Sequence, residues 1–153
     1  MNNMSAWEKA AVAEGTTGSE RILTRLARKA FLSLWSYPNV FSDEGRSRGK
    51  GDGKELVDLL VVFGDNVLLF SDKHCEFQTD TDVKIAWPRW YKRAIAKSAR
   101  QLVGAEGFLR RFPRRIFIDK NCQPPLPVAL HERRPLCANG LLSGQVALAA
   151  AEP

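Results

Sequence analysis

The sequence predicts a single α/β domain built on a mixed central sheet that is flanked by helices. Two apolar runs around a Gly/Asp/Asn turn predict a hairpin, an amphipathic helix precedes them, and a long helix follows them. The chain has 153 residues, of which 44% are hydrophobic and 26% charged, as expected of one domain with its own core. We place this domain at 17–120, after a segment at 1–16 that is either a mobile arm or a weak helix, and before an irregular tail at 121–153.

The first helix is predicted from hydrophobic periodicity. Apolar residues recur at i, i+3, i+4 and i+7 between positions 22 and 35, which is the spacing of one helical face. Thr17 and Glu20 have the spacing of a capping box, and Pro38 lies just past the predicted end. A short strand is predicted at 40–41.

The hairpin is the most regular part of the chain. Its first strand, Leu56–Phe63, is apolar apart from Asp58, and the turn residues 64–66 separate it from the second apolar run, Val67–Phe70. That run leads into Ser-Asp-Lys at 71–73. Because both strands are apolar on successive residues, we expect both faces of the hairpin to be covered, as in the middle of an α/β sheet.

The register of this hairpin determines which polar side chains share a face. With a three-residue loop, Asp58 pairs with Asp72, and Lys73 points to the other side. With a two-residue loop, Asp58 pairs with Ser71, and Lys73 stays on the same face. A bulge, which is common in three-residue hairpins, would reconcile the two arrangements. The sequence leaves these possibilities open.

A second helix is predicted from about Trp87 to Leu109, with Pro88 in its first turn. The residues that are expected to line one face of this helix are Trp87, Trp90, Ala94, Leu102, Ala105 and Phe108. Arg115–Asp119 is predicted to be a further strand. Beyond this strand no segment has a convincing period, and the chain from about Glu132 is interpreted either as disordered or as a truncated or frame-shifted end.

The resulting order, α-β-β-β-α-β, resembles the common core of the restriction-endonuclease-like, PD-(D/E)XK nuclease superfamily over roughly Ser19–Asp119. The resemblance is strongest to nuclease-related and prophage-type members, which carry one buried Asp in an apolar hairpin and a Lys at the end of its second strand. By this resemblance, Asp58 matches the first carboxylate and Lys73 matches the lysine. Ser71 stands where the second carboxylate is expected, which is a departure from the motif.

The resemblance implies a magnesium-dependent nuclease. Hydrolysis of a phosphodiester needs a hard cation that is held by carboxylate oxygens, polarises the phosphate and lowers the pKa of the attacking water. Asp58 and Asp72 are the expected metal ligands, with Lys73 beside the water. A carboxylate such as Asp58 is costly to bury in an apolar strand unless it is paired or metal-bound. Members of the superfamily often use a Glu on the first helix, so Glu20 is a substitute ligand, although the capping box with Thr17 explains it without a catalytic role.

Positive charge is concentrated in one part of the chain. The net charge is +6, yet the segment 84–116 alone carries +9, from ten Lys and Arg against Glu106, so the remainder sums to −3. Four of these cations are expected to form one helical stripe that suits the phosphates of nucleic acid, with DNA the expected partner: Arg89, Arg93, Lys97 and Arg100. Gln101 follows Lys97 by one turn, and in some superfamily relatives a Lys or Gln on this helix points into the active site. The neighbouring aromatic residues are interpreted as core anchors rather than as platforms for bases: Trp87, Trp90 and Tyr91.

Two functional classes follow from these observations. The first is metal-dependent phosphodiester hydrolysis. The second is a catalytically inactive nucleic-acid-binding or protein-interaction module on the same scaffold, with Ser71 marking the loss of the second ligand, and an inactive fragment of a longer protein is a third possibility.

No apolar run approaches the ~20 residues that span a bilayer, the N-terminus lacks the features of a signal peptide, and the three Cys are too widely spaced for a disulfide framework or a zinc site. We therefore expect a cytoplasmic protein with no membrane partner.

Overall fold

The computed structural model describes residues 5, 8–10, 13–31, 35–47, 49, 51–63, 66–130 and 136–143. In this part of the chain, five strands form one sheet in the order β4-β1-β2-β3-β5. The strands are β1 (Ser36–Ser42), β2 (Lys54–Phe63), β3 (Asn66–His74), β4 (Ile116–Phe117) and β5 (Leu136–Ser143). The neighbouring strands from β4 to β3 are antiparallel, whereas β5 is parallel to β3. The predicted α/β class with a mixed sheet is therefore confirmed.

The helices are α1 (Gly18–Phe31), the short α2 (Glu44–Ser47), α3 (Val83–Tyr91) and α4 (Lys97–Arg111), and the π-helical turn Lys92–Ala96 joins the last two. Helix α1 packs on β1 and β2, whereas α4 packs on β2, β3 and β5. The predicted series of elements is present, with α2 added after β1 and β5 added at the end. Among the described residues, no helix combines the length and the apolar character that are needed to cross a bilayer.

Side chains of the hairpin alternate between two separate cores, because successive residues of a strand point to opposite faces. Leu59 and Val61 pack with Ala27 of α1. Leu60 and Val62 belong to the larger core, to which α4 contributes. The expectation that both faces of the hairpin are covered is confirmed, and this explains why neither strand alternates polar and apolar residues.

The edges of the sheet differ from the sequence prediction. The strand predicted at Arg115–Asp119 contains only Ile116–Phe117, and it pairs with β1 at the edge farthest from β5. Strand β5 pairs with β3 at the other edge of the sheet, so the prediction of an irregular tail is wrong for 136–143. The strand order therefore differs from that of the predicted core. The sequence of β5 shows no alternation, so its extended conformation comes from backbone pairing with β3. The remaining tail positions, 131–135 and 144–153, lie outside the described residues.

The first helix begins as predicted. The N–H of Glu20 donates to Thr17 Oγ1 at 3.2 Å, and the N–H of Thr17 donates to Glu20 Oε2 at 3.2 Å, which confirms the capping box. Positions 32–34 lie outside the described residues, and Trp35 lies in a turn rather than in the helix. Pro38 lies inside β1, which is longer than the two-residue strand that the sequence predicts.

Part of the predicted N-terminal arm belongs to the folded domain. Residues 8–10 are helical, and Ala10 is buried in the larger core. The guanidinium group of Arg28 donates to the carbonyl oxygens of Ala13 and Ala10. Of the two alternatives that the sequence leaves open, a mobile arm and a weak helix, residues 8–10 adopt the helix, while 1–4, 6–7 and 11–12 lie outside the described residues.

The second helix begins a turn earlier than predicted, because Asp82 caps it. The carboxylate of Asp82 accepts a hydrogen bond from the N–H of Lys84 at 2.8 Å. The prediction that Trp87 and Tyr91 belong to the core is wrong, since these side chains are 52% and 49% exposed, whereas Trp90 is buried. This difference in burial shows which side of the helix faces the sheet.

A constant spacing of four residues marks the buried side of this helix. From α3 to the middle of α4, the buried positions are Ala86, Trp90, Ala94, Ser98 and Leu102. In a regular α-helix, side chains four apart drift by about 40° at each step. The π turn Lys92–Ala96 is wider, because it closes i→i+5 hydrogen bonds, and it absorbs this drift. Side chains four apart therefore remain aligned from α3 into α4.

Candidate functional site

Strands β2 and β3 separate beside Asp58. Their ladder runs from Phe63↔Asn66 to Leu59↔Phe70, so two residues connect the strands and the register is that of the two-residue loop. Past the Leu59↔Phe70 pair, β3 continues along β5 and β2 continues along β1. A gap between the two strands therefore lies next to Asp58.

Asp58 fills this gap with a buried carboxylate. Its Oδ2 accepts a hydrogen bond from the backbone N–H of Asp72 at 2.5 Å, and the residue is 5% exposed. Burial raises the pKa of Asp58, although the Asp72 N–H and the charge of Lys73 act in the opposite direction, and the charge of Glu20 raises this pKa further. The predicted site residues are therefore neighbours at the end of β3, because the Asp72 N–H bonds to Asp58 and the charges of Lys73 and Glu20 both act on its carboxylate.

Asn39 joins two further carboxylates at this point. Its Nδ2 donates to Glu20 Oε2 at 3.2 Å and to Glu55 Oε1 at 2.7 Å. Burial acts to raise the pKa of Glu20, but the bonds from Thr17, Asn39 and Thr16 outweigh it, and the pKa is lowered. Asn39 therefore links the beginning of α1 to β2 through two acidic side chains.

The charges of Glu20 and Lys73 act on the pKa of Glu55 as they do on that of Asp58. Burial raises the pKa of Glu55, the bond from Asn39 lowers it, the charges of Asp58 and Glu20 raise it, and the charge of Lys73 lowers it. Among the described residues, Lys73 is thus the cation that acts on Glu55 and Asp58, and Glu20 adds a third negative charge nearby. When all three carboxylates are ionised, their charge exceeds that of Lys73 by two.

The sequence analysis misses both Asn39 and Glu55. The register between β1 and β2 shifts between Val40 and Phe41, and Asn39 has a φ of 47°. This irregularity directs Asn39 towards Glu20 and Glu55. A bulge re-aims side chains in this way but has no dependable signature in a single sequence, and the tolerance of Asn for positive φ is the only local signal.

A cavity of about 400 Å³ lies between the beginning of α1 and the end of β3. Its lining residues are Thr17, Gly18, Ser19, Glu20, Asp72 and His74. The backbone N–H groups of Thr16 and Thr17 and the side chain of Asn39 all donate to Oε2 of the Glu20 carboxylate. Asp72 lines this cavity while its backbone N–H remains bonded to Asp58.

Within the described ranges, no three His, Cys, Asp or Glu side chains form a group that could hold a metal ion. Mg²⁺ is commonly held by only one or two carboxylates, together with waters and phosphate oxygens. Asp58 and Glu20 carry hard carboxylate oxygens, and these are the side chains of the cluster that could contribute to such a shell.

Ser71 and Gln101 form the contact between this cluster and α4. The Ser71 hydroxyl is buried and donates to Gln101 Oε1 at 3.3 Å. Gln101 Nε2 donates in turn to the backbone oxygen of Leu56 at 3.4 Å. Gln101, predicted as a residue near the site, therefore contacts the position where the motif expects a second carboxylate.

The predicted basic stripe leads towards Gln101. Arg89, Arg93 and Lys97 are exposed, and the π turn aligns them with Gln101 at a constant spacing of four. Arg100 is also exposed but lies off this line. None of these four cations forms an ion pair with the part of the chain that the structure describes, so their charges are available to a polyanion.

No family model, curated protein or solved structure matches this chain. The resemblance to the PD-(D/E)XK superfamily therefore depends on the residues and the geometry described above.

Proposed function

We propose that this chain is a magnesium-dependent nuclease of the PD-(D/E)XK type that hydrolyses phosphodiester bonds of nucleic acid, with DNA as the expected substrate. The observation that carries the proposal is the buried Asp58 carboxylate at the gap between β2 and β3, which accepts the N–H of Asp72 and on which the charges of Lys73 and Glu20 act. The excess negative charge of the carboxylate cluster supports it, because a divalent cation would neutralise this charge.

Each residue has a role that follows from its position. A bound Mg²⁺ would polarise the phosphate and lower the pKa of an attacking water. Asp58 and Glu20 would hold the ion. Lys73 would orient the water and stabilise the negative charge that develops on the phosphate. The line from Arg89 to Lys97 would neutralise the phosphates that lead to the site.

A catalytically inactive nucleic-acid-binding module is the second candidate, and Ser71 favours it. This residue replaces the second carboxylate of the motif, and its buried hydroxyl bonds to Gln101 and to the Asp58 carboxylate. A hydroxyl is neutral and a weaker ligand for a hard cation than a carboxylate. The module would retain the basic line and lack cleavage.

Cleavage of DNA with and without metal tests the proposal. Linear and plasmid DNA are incubated with the protein in Mg²⁺, Mn²⁺ or EDTA, and cleavage is expected only with metal. Lys73→Ala should slow cleavage by about 10²-fold and leave metal binding, measured by calorimetry, in place. Lys29→Ala, an exposed lysine of α1, is the matched control. Metal-independent binding without cleavage by the unaltered protein would support the inactive module instead.

Asn39→Gly should slow cleavage without lowering the thermal stability of the protein. Asn39 has a positive φ and a buried Oδ1 without a hydrogen-bond partner among the described residues, and each feature costs roughly 1–3 kcal/mol. Glycine removes both features together with the link between Glu20 and Glu55. We expect an unchanged or higher Tm and a roughly tenfold slower cleavage, an effect typical of a displaced supporting residue.

Asn39→Ala is the control for this prediction, because alanine keeps the unfavourable φ and also loses the two hydrogen bonds. Its Tm should fall below that of the glycine variant. A clear fall in the Tm of Asn39→Gly, with cleavage unchanged, would assign Asn39 a structural role only.

A further inference from the structure

The long helix carries two exposed aromatic side chains that the proposed chemistry does not use. Trp87 is 52% exposed and Tyr91 is 49% exposed. They are four residues apart, so they are neighbours on one flank of α3. The buried line through Trp90 and Ala94 separates this aromatic flank from the basic line. On the solvent side of the helix, the exposed Lys92 lies between the aromatic flank and the basic line.

Trp87 is held in one orientation by buried neighbours. Its ring stacks on that of Trp90 with centroids 5.3 Å apart and an interplanar angle of 29°, and Phe77 packs at 6.4 Å. The indole N–H of Trp90 donates to the backbone oxygen of Cys75 at 3.0 Å. A ring fixed in this way loses little freedom when a ligand stacks on it.

The charged side chains that α3 and the π turn carry around the aromatic flank are all positive. Lys84, Arg89, Lys92 and Arg93 are exposed, and no acidic residue occurs between positions 83 and 105. A complementary ligand is therefore a polyanion that also presents flat apolar groups. Single-stranded nucleic acid has both properties, whereas the bases of a duplex are already stacked on one another.

The aromatic flank lies close to the candidate site. Cys75, which accepts the bond from Trp90, follows Lys73 by two residues in the chain. A strand whose bases rest on Trp87 and Tyr91 would therefore have its backbone near the end of β3.

We infer that Trp87 and Tyr91 form a stacking platform for the bases of single-stranded DNA beside the candidate site. If the chain has the proposed nuclease activity, on which this part of the inference rests, the platform implies a preference for DNA that has single-stranded ends or flaps. The binding of a single strand to the platform needs neither metal nor cleavage.

Binding is therefore measured in EDTA, by fluorescence anisotropy, with oligothymidylate, an abasic strand of the same length and a duplex. Trp87→Ala is expected to weaken the binding of oligothymidylate by about tenfold, with no change for the duplex or the abasic strand and no change in the salt slope. Trp87→Phe should restore most of the lost affinity. Val103→Ala, at an apolar residue of α4 that is 69% exposed, is the matched control, and circular dichroism verifies folding.

Three results would overturn the inference. The first is that the unaltered protein binds no single strand. The second is that Trp87→Ala weakens duplex and single strand equally. The third is that the abasic strand binds as tightly as oligothymidylate. An absence of cleavage in Mg²⁺ together with the expected pattern in EDTA would reject the nuclease and leave the platform standing.

Discussion

Asp58→Asn should reduce metal-dependent cleavage by about 10³-fold or more and leave DNA binding intact or tighter. Asparagine keeps an oxygen that accepts the N–H of Asp72, but it removes the charge that attracts a cation. Metal catalysis contributes several kcal/mol, and each ~1.4 kcal/mol corresponds to a factor of ten in rate. Binding should not weaken, because the lost charge repels phosphates. The measurements are kcat/KM in Mg²⁺ and Kd in EDTA, with Asp80→Asn, an exposed loop position, as control.

The same variant should be more stable than the unaltered protein at neutral pH. Burial raises the pKa of Asp58 above its usual 3.8, so the folded protein binds this proton more tightly than the unfolded chain does. The stabilising contribution of the protonated form is thus present at acidic pH and is lost as the pH rises through the folded pKa. Asparagine does not titrate, so its advantage should grow from about pH 4 towards neutral pH. A gain of ~1 kcal/mol would raise Tm by about 2–4 °C.

Thermal unfolding of both proteins across this pH range tests the prediction. A lower Tm of Asp58→Asn at neutral pH, together with no effect of Mg²⁺ on either form, would mean that the Asp58 carboxylate has a structural role at the gap between β2 and β3. The nuclease proposal would then be abandoned in favour of the binding module.

Replacing Arg89, Arg93 and Lys97 together by glutamine should weaken DNA binding about equally for all sequences. These side chains are exposed and make no ion pair within the described residues, so they are available to neutralise phosphates. Each neutralised phosphate contributes about 0.9 to the slope of log K against log salt. Loss of three contacts should flatten the slope by about 2.7, which a salt titration of Kd measures directly.

A triple change on α1, at Arg21, Arg25 and Lys29, provides the matched control. These residues are exposed and four apart, and α1 packs on the opposite face of the sheet from α4. The change in net charge is identical, so an equal loss of affinity would point to the overall charge of the protein rather than to the line on the long helix. An unchanged slope in the α3–α4 variant would mean that this line is a solvated helix face.

The sequence by itself determined the features that depend on near neighbours in the chain. The apolar runs predicted the hairpin and its two covered faces, because side-chain direction in a strand has a period of two. The spacing of Thr17 and Glu20 predicted a capping box that the structure contains. The concentration of positive charge was visible without coordinates. The residues of the motif, Asp58 and Lys73, were found in the same way.

The tertiary structure decided what depends on contacts between distant segments. The hairpin register, the shift between Val40 and Phe41 and the π turn each change which side chains meet, and none has a dependable signature in a single sequence. They brought Asn39 and Glu55 to Asp58, and the side of the helix that meets the sheet left Trp87 exposed. Strand β5 exists because β3 offers a free edge for backbone pairing. Such pairings depend on segments that are distant in the chain, whereas hydrophobic periodicity and capping patterns depend only on residues that are close in sequence.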